Sequence, residues 1–194
     1  STLAAPTGLT GSATASTLKS IGLTWNSVAN ASSYTIKMYD SSSTLLTTLS
    51  GKTGTSATIT ASDYASIADA TSYKFSITAI GNGTTYLDSS ESSLTGSVTT
   101  NAAPVAPTIT SQPTAQSGTV GGTATYSVTA TVSDSGTRSY QWQVSTDNGS
   151  TYNNVASGGT TSSYTTGTLS LGMNNYKYRV IVTNSLNGGT NQTT

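Results

Sequence analysis

Bulky apolar side chains in this sequence return at every second position, in short runs, and never at the three- and four-residue spacing of a helix face. Ile21, Leu23 and Trp25 are separated by Gly22 and Thr24, and Tyr34, Ile36 and Met38 by Thr35 and Lys37. Ala57 and Ile59 flank Thr58, while Tyr73, Phe75, Ile77 and Ala79 alternate with Lys74, Ser76 and Thr78. Successive side chains of an extended chain point to opposite faces, so each run is a strand with one face in a core and one in water. The second half repeats the pattern with Ala124 to Val132, Tyr140 to Val144 and Tyr176 to Val182. Asp147-Asn148-Gly149 follows the Trp142 run, and Asn-Gly favours a hairpin turn because both residues tolerate positive φ. Ser62 to Ala70 holds only a turn's worth of Ala and Ser and reads as a loop crossing between sheets. The economical fold class is all-β, two antiparallel β-sandwiches in tandem.

The wet faces explain the composition. The chain has 34 Ser and 41 Thr among 194 residues, against 7% charged residues, where about 25% is usual. Thr suits an exposed strand face because its β-branch favours extended backbone. Lys+Arg and Asp+Glu number 7 each, and there is no His and no Cys. That excludes an imidazole base, a thiolate nucleophile and the usual zinc, haem or iron–sulfur sites, so no cofactor is expected. Seven scattered cations make no surface for a nucleic acid or an anionic membrane. No run approaches the ~20 apolar residues that span a bilayer. With no leader and no initial Met, the chain reads as a piece of something longer.

Asn101-Ala102-Ala103-Pro104-Val105-Ala106-Pro107 marks the break between halves. Two prolines three apart fix φ and bias their predecessors toward extended backbone. The expected organisation is a sandwich over 1–101, a stiff connector over 102–107 and a second sandwich over 108–194.

The first half resembles a fibronectin type III domain. Pro6-Thr7-Gly8-Leu9 is similar to its opening strand, and Trp25 sits where that family buries a Trp. Ala70-Thr71-Ser72-Tyr73-Lys74-Phe75 resembles the penultimate strand, entered by a corner Tyr, with Ala-Thr in place of the family's Gly-Thr. The second half resembles bacterial immunoglobulin-like modules. Tyr140-Gln141-Trp142-Gln143 is similar to the strand of the core Trp, and Tyr176-Lys177-Tyr178-Arg179-Val180 to Tyr-x-Cys-x-Val. The resemblance implies that Tyr178 and Val128 stand at the two positions of the lost disulfide, packed against Trp142. It also implies a structural core of Trp25, Tyr73, Phe75, Val128, Trp142, Tyr176 and Tyr178, with Tyr73 and Tyr176 as corner residues. After Asn184 only ten residues remain, nearly all of them polar, so the final strand is expected to be incomplete or very short.

Candidate sites are few. Trp25 and Trp142 read either as sugar platforms or, from their place in apolar runs, as core. The segment Gly81–Ser90 is the longest loop candidate, and Asn82, Thr85, Tyr86 and Asp88 are its candidate binding residues. The alternative is a plain connection between strands. The seven carboxylates show neither a paired arrangement for glycoside hydrolysis nor the dense acidic run of a calcium loop. The four Asn-x-Ser/Thr triplets, at Asn30, Asn82, Asn148 and Asn191, are no more than chance supplies in a chain so rich in Ser and Thr. The expectation is a non-catalytic structural or spacer segment of a large extracellular bacterial surface protein of adhesin or surface-layer type. Its partners would be neighbouring modules. The alternative is a glycan- or protein-binding module using sandwich-end loops and surface Tyr.

Overall fold

The computed structural model describes residues 1–194. The chain divides into two compact units, Ser1–Ala103 and Pro104–Thr194.

The first unit contains β1 (Thr10–Ala13), β2 (Ile21–Thr24), β3 (Ser33–Asp40), β4 (Leu45–Lys52), β5 (Ser56–Ile59), β6 (Ser72–Ile80) and β7 (Val98–Thr99). They form two antiparallel sheets, ordered β1-β2-β5 and β4-β3-β6-β7. The apolar alternation sets the register, Ile21 opposite Ile59 in one sheet and Met38 opposite Phe75 in the other. Ile21, Leu23, Trp25 and Ile59 meet Tyr34, Ile36, Met38, Tyr73, Phe75, Ile77 and Ala79 in one buried cluster. Ser62–Ala70 carries the chain from one sheet to the other as turns, and drops Ile67 into the core on the way.

The corner Tyr73 accepts a hydrogen bond from the Ala68 N–H at 2.9 Å, which ties the crossing loop to the strand. Ala70 holds φ at +48°. The turn thus keeps the left-handed backbone that suits Gly, and Ala70 carries the steric strain of its Cβ.

Residues 81–97 are more than a loop. Past Gly81–Asp88 the chain runs back along β6 without joining it as a strand. Ser89, Ser92 and Thr95 donate their backbone N–H to the carbonyls of Ala79, Ile77 and Phe75 at 2.8–2.9 Å. Each of their hydroxyls accepts the N–H of that same residue at 2.9–3.0 Å. The rungs are three residues apart on the covering segment and two apart on β6. Two extended residues span about 6.8 Å and three about 10 Å, so the intervening residues pucker outward. Thr100 repeats the reciprocal pairing on Thr71. An edge that would present a row of free backbone groups is thereby satisfied without charge.

The second unit contains β8 (Thr108–Ser111), β9 (Thr125–Ser127), β10 (Thr129–Thr131), β11 (Thr137–Ser145), β12 (Asn153–Asn154), β13 (Ser163–Thr165), β14 (Lys177–Leu186) and β15 (Gly189–Thr193), with a 3-10 turn at Leu171–Met173. The main sheet is β12-β11-β14-β15, faced by the pairs β10-β8 and β13-β9. β9 and β10 are one extended stretch divided at Val128, whose N–H goes to Ser162 O at 2.9 Å. Trp142 is fully buried with Val128, Ala130, Val155, Val180 and Val182, and its indole N–H donates to Thr161 O at 2.9 Å. Tyr126, Tyr164 and Tyr178 pack on this core, with Tyr126 and Tyr178 centroids 4.8 Å apart.

Two expectations need correction here. Tyr176 is half-exposed and stands outside the buried cluster, because it precedes β14 by one residue and follows the turn at Asn174–Asn175. The final strand is formed and is not very short: β14 extends to Leu186, and Asn187-Gly188, both at positive φ, turn it into the five-residue β15. Its polar composition reflects an edge position rather than a tail. The Asp147-Asn148-Gly149 turn has the expected positive φ at Asn148 and Gly149, within a longer loop between β11 and β12.

Candidate functional site

The residues singled out at the Gly81–Ser90 end are engaged in holding the loop. Asn82 Oδ1 accepts the N–H groups of Thr84, Thr85 and Tyr86 at 2.9–3.1 Å. Asp88 Oδ1 accepts the Gly81 N–H at 2.9 Å. The carbonyl of Thr85 accepts from the Ser1 nitrogen at 3.0 Å, and Leu87 bonds to Ser1 and Leu3. Tyr86 lies against the first core. Asn82, Thr85 and Asp88 are exposed, but their polar groups fold the loop on itself.

The carboxylates behave likewise. Glu91 projects from the puckered segment over the outer face of β6 and β3. It accepts from Lys37 Nζ at 2.6 Å, from Tyr39 OH at 2.7 Å and, on a very short contact, from Ser76. Those bonds, Lys37's foremost, pull Glu91 down to about 2. The same ion pair raises Lys37, and burial raises Tyr39. Ser76, on the outward face of β6, is buried under this group, which the alternation did not reveal. Burial works against the charge of Asp63, yet the hydrogen bonds from Lys52 and from the Thr60 N–H outweigh it and hold the acid below its usual range. Asp134 is lowered by the Val105 N–H, by Asn184 and by the Gly136 N–H; Asp147 is lowered by the hydroxyls of Ser145 and Thr151 and by the Thr151 N–H. Asp40 accepts the Thr44 N–H at 2.8 Å. These acids lock turns. No three His, Cys, Asp or Glu side chains gather where a metal ion would fit, and no helix is long and apolar enough to cross a membrane.

A different site, missed from the sequence, opens in the second unit. A cleft of about 470 Å³ lies between the segment 116–124 and the turn at 169–175, with Tyr126, Tyr176 and Tyr178 in its wall. Its residues come from separate loops and from β9 and β14, which no short motif links, so the cluster of Tyr is its only trace in the sequence.

No family model and no curated protein sequence matches the chain. Among solved structures, a Fn3-like protein from Clostridium thermocellum is 30% identical over 52% of this chain and 95% of its own, with a TM-score of 0.39. The chain belongs to the fibronectin type III-like family. A two-domain fibronectin type III segment from chicken tenascin matches this fibronectin type III-like chain over 96% of its length and 94% of the segment, at 18% identity and a TM-score of 0.41. The CbhA fibronectin(III)-like modules of Clostridium thermocellum match over 90% of this chain and 82% of theirs, at 16% identity and a TM-score of 0.35.

Proposed function

We infer that this chain is a non-catalytic structural segment of a large modular extracellular protein of a bacterium, of adhesin or surface-layer type, and that its partners are neighbouring modules. The observation that carries this reading is the use made of the reactive side chains. Glu91, Asp63, Asp88, Asp134 and Asp147 each lock a turn or a loop to its own unit, which suits a part selected for endurance. The sealed β6 edge supports it too, since modules arrayed in one chain present many edges to one another. On this reading residues 1–101 form a fibronectin type III-like module. Residues 108–194 form an immunoglobulin-like module in which Val128 and Tyr178 replace a disulfide, and 102–107 connect them.

The test is the coding sequence on either side. Further β-sandwich modules together with an export or anchoring signal are expected. A single catalytic domain in an unexported chain would overturn the reading.

A further inference from the structure

We propose that the cleft of the second unit binds a neutral saccharide. The cleft holds hydroxyls without protein partners. In the first unit the phenols of Tyr34, Tyr39 and Tyr73 bond to protein groups, and those of Tyr64 and Tyr86 do not. In the cleft Tyr126, Tyr176 and Tyr178 bond to none, and none of these hydroxyls is sealed from water. Each can therefore give or accept a hydrogen bond from a ligand in the cavity that all three residues line.

The rest of the lining narrows the chemistry. Asn174 and Asn175 add amides that bond to no other side chain, and Leu171 and Val120, 83% and 64% exposed, add apolar surface. No charged side chain lines the cleft, so an ionic ligand would lose hydration and gain no counter-charge. A wholly apolar ligand would strand the phenols and amides. The segment 116–124 and the turn at 169–175 make up most of the lining, with Tyr126 on β9 and Tyr178 on β14. A sugar ring meets each condition, with C–H faces for Tyr176 and Leu171 and neutral hydroxyls for the amides and phenols. The volume falls within the roughly 300–1,000 Å³ of small-ligand sites. Tyr176 is half-exposed and no other aromatic ring packs on it, so the open part of the ring can stack on a ligand.

The experiment titrates the whole 194-residue chain with cellohexaose, xylohexaose and mannohexaose, with a hexamer of galacturonic acid and a proline-rich peptide as contrasts, following backbone amides by NMR. At least one neutral hexaose should shift Leu171, Asn175 and Tyr176 and leave the first unit unmoved. Y176A should weaken that binding about three- to tenfold, the range of one aromatic contact. L171A, at a position too exposed to disturb folding, serves as the second variant. Shifts caused only by the acidic hexamer or the peptide, shifts elsewhere, no response to any neutral sugar, or binding that both variants leave unchanged would each overturn the proposal.

Discussion

The first unit buries 14 apolar residues in one cluster and the second only 6, yet both enclose a Trp between antiparallel sheets. The difference lies in how the core is finished. The first uses aliphatic side chains from both sheets, with Tyr34 and Tyr73, whose hydroxyls are spent on loops. The second closes a smaller core with the half-buried rings of Tyr126, Tyr164 and Tyr178, each in ring contact with another and two of them with Trp142. An amphipathic ring can cover apolar surface from the rim while its oxygen stays wet, so a module with few aliphatics still excludes water from its Trp.

The contrast can be broken most forcefully at the indoles. W142A should cost about 3–5 kcal/mol and, in a core of six, abolish the second unit's thermal transition while the first unit's remains. Calorimetry showing both transitions intact would contradict the packing described. Next comes the edge ladder, which the second unit uses once: Thr166 and Ala124 exchange the same reciprocal bonds. T166A leaves a buried N–H without its acceptor and should cost about 1–3 kcal/mol, whereas T166S should melt like the parent.

The strained corner belongs to the first unit alone. A70G should stabilise that unit by about 1 kcal/mol in chemical denaturation. A variant no more stable than the parent would mean the corner relaxes in solution. Smaller still is the phenol comparison. Y73F should destabilise the first unit by about 1 kcal/mol, and Y178F should leave the second nearly unchanged, because its hydroxyl has no protein partner.

The last test is in alkali. Burial raises Tyr178 to about 12 and also raises Tyr126 and Tyr164, against Tyr39 alone in the first unit. A phenol whose folded pKa exceeds its unfolded value of about 10 contributes stability that is complete below pH 10 and is lost as pH rises toward 12. The second unit should therefore melt first between these values, with phenolate absorbance appearing as it opens.

The strands were legible because period-two burial is written directly into residues such as Tyr34-Ile36-Met38. What escaped was structure written in another period or in none. Ser89, Ser92 and Thr95 are three apart and polar, so they resemble loop filler until β6 is placed beside them. Ser76 looks wet by alternation, but Glu91, fifteen residues away, roofs it over. The strand Gly189–Thr193 holds no large apolar residue, and only the Asn187-Gly188 turn before it announced a hairpin. Tyr176 carried the motif's position without its burial. The cleft draws on residues from 116 to 178, and tertiary folding alone assembles it.

The hydroxyl rungs along β6 have a consequence for the surroundings this molecule tolerates. Charged edge guards weaken as ionic strength rises, since mobile ions screen them beyond about 8 Å at physiological strength and about 3 Å at 1 M. Neutral Ser and Thr rungs offer dissolved ions nothing to screen. A strand border closed this way should hold as firmly in brine as in fresh water.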